Sequence, residues 1–318
     1  MSCKYENESP IFDIYAFADY SGAAKEALQK KSIAWCLYDR TLGNRSNILF
    51  PGVTAETLMH ANVKTGLTRQ VLVNEVLQLL RQATSEGKRV IFGFDHNYSF
   101  PIGLYEAVHK KSSPPWHELV SWLHDSLAQF SDVNGDILPR HWAAEINRHI
   151  VEQWSLPVGP FWGPHFTPLK RTFPYGLETQ GPTPCTLHEY RLVERQTAGM
   201  KSFYQIGGAG SVGLQSLYGI YYLDEFMEQC RIEGICLHAW PYDGWGVPNE
   251  GHMLVEVYPT LYLKGNKQKR SDRGDAAACA AWIAQKDERG ELTRLLSCPS
   301  LEEKDLQRVS LEGWILGL

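Results

Sequence analysis

The first apolar run of the chain, Phe12–Ala18, is short and dense and ends on Asp19. Followed by Tyr20-Ser21-Gly22, it predicts a buried strand and then a turn. Ser32–Tyr38 predicts a second strand and Asn47–Phe50 a third, the latter set off by Gly43-Asn44 and Pro51-Gly52. Strands this close in sequence form an antiparallel meander. Thr68–Ala83 carries apolar positions at helical spacing, with Gly87 past its end. Arg89–Phe94 is a fourth apolar run and ends at Asp95. A strand reached through a helix runs parallel to an earlier neighbour by a right-handed crossover.

The second half is patterned differently. Trp116–Phe130 and Ala143–Trp154 predict amphipathic helices, and Leu156–Pro184 is rich in Pro, Gly and aromatic residues. After the glycines at Gly207, Gly208 and Gly210, a helix is expected over Ser211–Gln229. Ile235–Trp240 and Met253–Tyr258 predict strands, the second stopped by Pro259. Gly274–Gln285 and Glu302–Leu311 predict the last helices. The order predicts an α/β fold of ribonuclease H-like plan: an antiparallel meander, then parallel strands with helical crossovers, and a large mid-chain insertion. The expected division is a core of residues 1–98 and 201–318 with residues 99–200 inserted.

Composition changes little of this. At 318 residues, 43% hydrophobic and 21% charged, the chain is an ordinary globular one, long enough to bury a core without staples. The net charge of −5 does not favour sequence-independent binding of long duplexes. The seven cysteines form no C-x-x-C pair. Cys36, Cys236 and Cys279 sit in apolar settings and read as small core residues. A reducing cytoplasm is the expected location. Ser202–Leu223 lacks charge, but its Gln, Ser and Gly content makes it too polar for a membrane span, so no membrane partner is expected.

The acids supply the candidate chemistry. Asp19 ends the first strand and Asp95 the fourth, and these strands are neighbours in the expected plan. Asp272 and Asp275 open a helix three residues apart and share one face. Glu256 lies inside an apolar strand, where alternation with Val255 and Val257 leaves it outward-facing or at a sheet edge. Carboxylates held together repel, and a divalent cation relieves this. Few, hard oxygen ligands suit Mg²⁺ or Mn²⁺. The expected metal ligands are Asp19, Asp95 and Asp275, with Asp272 and Glu256 as auxiliary catalytic groups. Blander readings stand beside this one: Asp95 as a turn residue before His96-Asn97, Asp272 as a helix cap, and Asp275 as a complement to the helix dipole.

The segments FADYSGAAKE, RVIFGFDHNYSFPIG, YQIGGAGSVGLQSLYGI, LVEVYPTLY, SDRGDAAACAAW and LEGWILGL, in that order, resemble a bacterial and archaeal family catalogued as domain of unknown function 429. That family is regarded as predicted ribonuclease H-like nucleases. The resemblance implies a metal-dependent nuclease fold with an acidic site, matched here by Asp19, Asp95, Glu256 and Asp275. The Asp272/Asp275 pair also resembles the last-helix pair of Holliday-junction resolvases.

Other signals are weaker. Gly208-Ala209-Gly210-Ser211-Val212-Gly213 fits G-x-G-x-x-G but lacks the strand and acid of a dinucleotide fingerprint. It reads either as a phosphate cradle, with Lys201 and Gln205 nearby, or as a tight turn into a helix. Lys264, Lys267, Lys269, Arg270 and Arg273 form either a polyanion-binding strip beside the acids or a solvated loop. His96 is a candidate accessory acid or base. His141, Glu145 and His149 share a helix face but lack H-E-x-x-H order. Trp162, His165 and Phe166 form either a base-stacking cluster or loop packing. No G-x-S-x-G elbow occurs. The expected activity is metal-dependent phosphodiester hydrolysis on nucleic acid or a small nucleotide. The alternative is a non-catalytic nucleotide- or partner-binding protein of the same fold.

Overall fold

The computed structural model of the chain describes residues 9–41, 61–164, 173–174, 176–177, 186–208, 211–263 and 271–318. Its elements are β1 (Ile14–Asp19), α1 (Glu26–Ser32), β2 (Ala34–Asp39), β3 (Ala61–Thr65), α2 (Arg69–Ser85), β4 (Val90–Phe94), α3 (Leu104–His109), α4 (Trp116–Ala128), α5 (Pro139–Trp154), α6 (Leu192–Arg195), α7 (Gly213–Ile232), β5 (Leu237–Trp240), β6 (His252–Glu256), α8 (Pro259–Tyr262), α9 (Asp272–Glu288), α10 (Leu292–Leu296) and α11 (Glu303–Glu312). The fold is α/β. One six-stranded mixed sheet has the order β3-β2-β1-β4-β6-β5. The β1–β2 and β2–β3 pairs are antiparallel, and β1–β4, β4–β6 and β5–β6 are parallel.

The chain divides into two compact units. The first holds residues 1–95, 226–299 and 315–318, including the whole sheet, and the second holds residues 96–225 and 300–314. The division falls inside α7, between Glu225 and Phe226. Residues 96–98, 201–225 and 300–314 thus fall in the second unit, whereas the expected division put them with the sheet.

Two elements depart from the sequence pattern. The strand paired with β2 is Ala61–Thr65, a polar edge strand without an apolar run; the strand expected at Asn47–Phe50 lies outside the described residues. A helix, α1, stands between β1 and β2. It has no apolar stripe: its one large apolar residue, Leu28, is 50% exposed and its buried residue is Gln29. The helices of α2 and α9 follow the pattern. Thr68 caps α2 by accepting the Val71 N–H, and Ser271 caps α9 by accepting the Gly274 N–H. Asp272 is therefore inside the helix, not its cap.

Residues of β1 alternate between two covered faces. Tyr15, Phe17 and Asp19 share the face toward α9, since the Tyr15 hydroxyl donates to Asp287 of that helix at 2.6 Å. The other face lies toward α2 and the end of α7. There Phe92 meets Phe226 edge-on at 5.6 Å, and His252 Nε2 is 2.9 Å from Thr84 Oγ1. The α9 surface is almost wholly Ala and Cys from Ala276 to Ala281, which lets its backbone approach β1 and β2 closely. Cys36 and Cys279 are core residues as expected; Cys236 is exposed, because it precedes the first paired residue of β5. The described cysteines are all free thiols. Among the described residues no helix is long and apolar enough to cross a membrane.

Candidate functional site

The sheet brings two acids to adjacent strand ends. In the parallel β1–β4 pair, Ala18 lies opposite Phe94, so the next residues are Asp19 and Asp95. The Asp95 N–H continues the ladder to the Ala18 carbonyl at 3.3 Å. The two carboxyls lie close enough for each to act on the other's charge, and the Tyr20 N–H donates to Asp95 Oδ1 at 2.5 Å. Two carboxylates in contact require a shared proton or a cation between them. Burial pushes Asp19 up to about 11, helped by the Asp95 charge and hydrogen bond and then by Asp272 and Asp275. The structure thus brings Asp95, Asp272 and Asp275 within electrostatic reach of Asp19.

Helix α9 delivers the second pair of acids. Asp272 and Asp275 occupy its first turn, where the unsatisfied N–H groups favour negative charge. Asp275 is buried and Asp272 half-buried. One turn on, Cys279 is buried beneath the acids. Burial, then Asp95, Asp19 and Asp275, hold its thiol well above the usual range, so it stays protonated and is no thiolate ligand.

Glu256 is the remaining acid of the expected set. It is the last residue of β6, an interior strand, and is 3% exposed rather than outward-facing or at a sheet edge. It is paired with Phe94, and by alternation it shares a strand face with His252 and Leu254; its charge also reaches Tyr262, which feels Cys279 of α9 as well.

Among the described residues no three His, Cys, Asp or Glu side chains stand in an arrangement that could hold a metal ion as placed. The donor set nonetheless suits a small hard cation, since it is all carboxylate oxygen. The strip at Lys264, Lys267, Lys269 and Arg270 lies outside the described residues; Arg273 is exposed beside Asp272.

The remaining candidates belong to the second unit. His96 is 3% exposed, its Nδ1 lies 3.0 Å from the Asn97 carbonyl, and its ring packs on Tyr98 and on the Gly219 backbone. It is a packed histidine, not an open acid or base. In the glycine loop the Ser211 N–H donates to Gly208 O at 3.3 Å and the Gly213 N–H to Gln205 O at 3.0 Å. A Cβ on Gly207 would stand 2.5 Å from the Pro164 carbonyl, and Gly208 has φ +91°. The Ser211 and Gly213 amides are thus used within the turn, which favours the tight-turn reading; Ala209 and Gly210 lie outside the described residues. Lys201 is exposed. His149 Nε2 lies 3.0 Å from the Val108 carbonyl and Glu145 pairs with Arg148, so this face holds no zinc arrangement. Trp162 pairs its main chain with Tyr204 and Ile206; His165 and Phe166 lie outside the described residues.

The sequence pattern missed Arg69, whose buried guanidinium donates to the carbonyls of Ser21 and Ala23 just after Asp19. Nothing in its local spacing separates it from a solvated arginine at a helix start. No protein-family model, no curated protein and no solved structure matches the chain.

Proposed function

We propose that the chain is a divalent-cation-dependent phosphodiester hydrolase of ribonuclease H-like fold, acting on nucleic acid or a small nucleotide. The resemblance to the domain of unknown function 429 family belongs to the same reading. The observation that carries it is the half-buried Asp19–Asp95 pair, two acids at adjacent ends of parallel strands, flanked by Asp272 and Asp275. The strand order β3-β2-β1-β4, with antiparallel pairs followed by a helical crossover, supports the fold part.

Asp19, Asp95 and Asp275 would hold Mg²⁺ or Mn²⁺, with Asp272 alongside. When bound, such a cation lowers the pKa of a water and polarises a phosphodiester. The chain's own contribution is placement. The Tyr20 N–H fixes one Asp95 oxygen and leaves the carboxyl turned toward Asp19. The start of α9 offsets the negative charge of Asp272 and Asp275. Arg273, exposed beside Asp272, is available to a substrate phosphate.

The test is hydrolysis of bis(p-nitrophenyl) phosphate and of short oligonucleotides in MnCl2. Asp95→Asn should lower turnover at least 100-fold while far-UV circular dichroism is kept; unchanged turnover removes the assignment. A second reading, a non-catalytic nucleotide-binding protein, is favoured by the absence, among the described residues, of three side chains arranged to hold a metal ion. Nucleotide binding that persists in chelator, with no cleavage in Mn²⁺, would select it.

A further inference from the structure

Arg69 opens α2 and is only 1% exposed. A buried guanidinium is costly unless its N–H groups find acceptors. Its Nε donates to the Ser21 carbonyl at 3.1 Å and its Nη2 to the same oxygen at 2.7 Å. Nη2 also donates to the Ala23 carbonyl. Its Cζ stands 5.8 Å from the Tyr20 ring centroid. The same short segment is held from its other side. Gln29 accepts the Arg69 N–H at 3.1 Å and donates to the Ala24 carbonyl at 3.1 Å. Ser21 Oγ accepts the Ala23 N–H at 3.1 Å and the Ser32 hydroxyl at 2.7 Å. Residues 20–24 therefore form a closed turn directly after Asp19. This turn also presents the Tyr20 N–H to Asp95 Oδ1 at 2.5 Å.

We propose that Arg69 is a positioning residue of the carboxylate site. By gripping the Ser21 and Ala23 carbonyls it aims the Tyr20 amide at Asp95, and so sets the Asp19–Asp95 spacing that a divalent cation meets. The inference rests on the metal reading above. Lysine cannot replace it: a flexible point charge lacks the planar fork that reaches one oxygen with two nitrogens and a second oxygen with one of them. Arg69 touches no reacting atom in this scheme and acts only through the turn.

The test uses the full chain as wild type, R69K, R69M and D95N. MnCl2 alone is titrated by calorimetry, and exchange of the Tyr20 amide is followed without metal. Both Arg69 variants should bind Mn²⁺ at least tenfold more weakly and exchange the Tyr20 amide at least tenfold faster, with β4 and β6 amides as protected as in wild type. Should R69M fail to fold, R69K decides. Uptake lost in D95N but unchanged in R69K, with the Tyr20 amide still protected, overturns the inference alone. Faster exchange throughout the sheet also overturns it, since that marks a merely structural arginine. A wild-type chain that takes up no Mn²⁺ overturns the metal reading and the inference with it.

Discussion

Replacing Asp19 by Asn removes one titrating group of the acid pair and keeps its shape. Burial, then the charge and hydrogen bond of Asp95, then Asp272 and Asp275, push the Asp19 carboxyl up to about 11. The unfolded value is about 3.9, so the folded chain holds this proton more tightly than the unfolded one. The group's contribution to stability is fully present below about pH 4 and is lost as pH rises toward 11. Each pH unit in that window costs about 1.4 kcal/mol. From pH 4 to pH 7 the wild type gives up at most about 4 kcal/mol through this group. An amide does not titrate, and its N–H can still donate to Asp95. In chelator, D19N should therefore gain on the wild type as pH rises, by on the order of 10 °C at pH 7 at about 2–4 °C per kcal/mol. Calorimetric melting from pH 4 to pH 8 measures it. Melting temperatures that move in parallel for the two proteins refute the electrostatic argument. Adding MnCl2 should raise the wild-type midpoint and leave D19N where it was; equal gains in both would remove Asp19 from the cation site.

Two further outcomes follow from buried groups away from the acids. Burial, with Arg89 nearby, pushes His252 down to about 4, while its Nδ1 accepts the Val90 N–H at 3.2 Å. A depressed histidine supports the fold above about pH 6.5 and fails it as pH drops through the folded value, about 3 kcal/mol over the window. Urea midpoints of H252Q should accordingly fall less than those of the wild type between pH 6.5 and pH 4, and superimposable acid profiles would count against the assignment. In the second unit, a Cβ on Gly219 would overlap the His96 ring, coming within 2.6 Å of Cδ2. Helix propensity alone makes Gly→Ala stabilising by about 1 kcal/mol, whereas overpacking costs about 1–3 kcal/mol. Gly219→Ala should lower the urea midpoint; a rise would show that the ring has room to move.

The parts of this molecule that were legible in the sequence are those where hydrophobicity and function speak separately. Strands β1 and β4 are apolar runs closed by a single acid, so both the strand and its carboxylate could be read. The Asp272/Asp275 spacing placed two acids on one helical face before any fold was known. Helix α1 and strand β3 could not be read, because neither buries an apolar stripe: one is anchored through Gln29, the other by its ladder to β2. Glu256 shows the limit of alternation. Period two separates the faces of a strand, but which face meets the acids depends on where α2 and α9 pack, and that is a long-range outcome. The glycine loop shows another limit, since turn packing and phosphate binding use the same residues. The Gln205 and Gly208 carbonyls, taking up the Gly213 and Ser211 amides, favour the turn.

The acids meet because α9 runs antiparallel to β1 and is pinned at both ends. Asp287, 1% exposed, accepts the Phe12 N–H at 3.0 Å and the Tyr15 hydroxyl at 2.6 Å, tying the end of α9 to the start of β1. From Asp287 back to Asp275 the helix rises about 18 Å. From Tyr15 or Phe12 forward to Asp19 the strand advances about 13–23 Å. The two spans match, so the buried carboxylate at one end of the pair of elements sets the register that brings Asp275 to Asp19 at the other. Asp287 is thus a structural acid whose hydrogen bonds are complete, and Asp19 an acid whose nearest partner is another acid. One helix and one strand hold both kinds. Acid faces acid at the half-buried Asp19–Asp95 end, and that is why the cation is sought there and not at the more deeply buried carboxylate of Asp287.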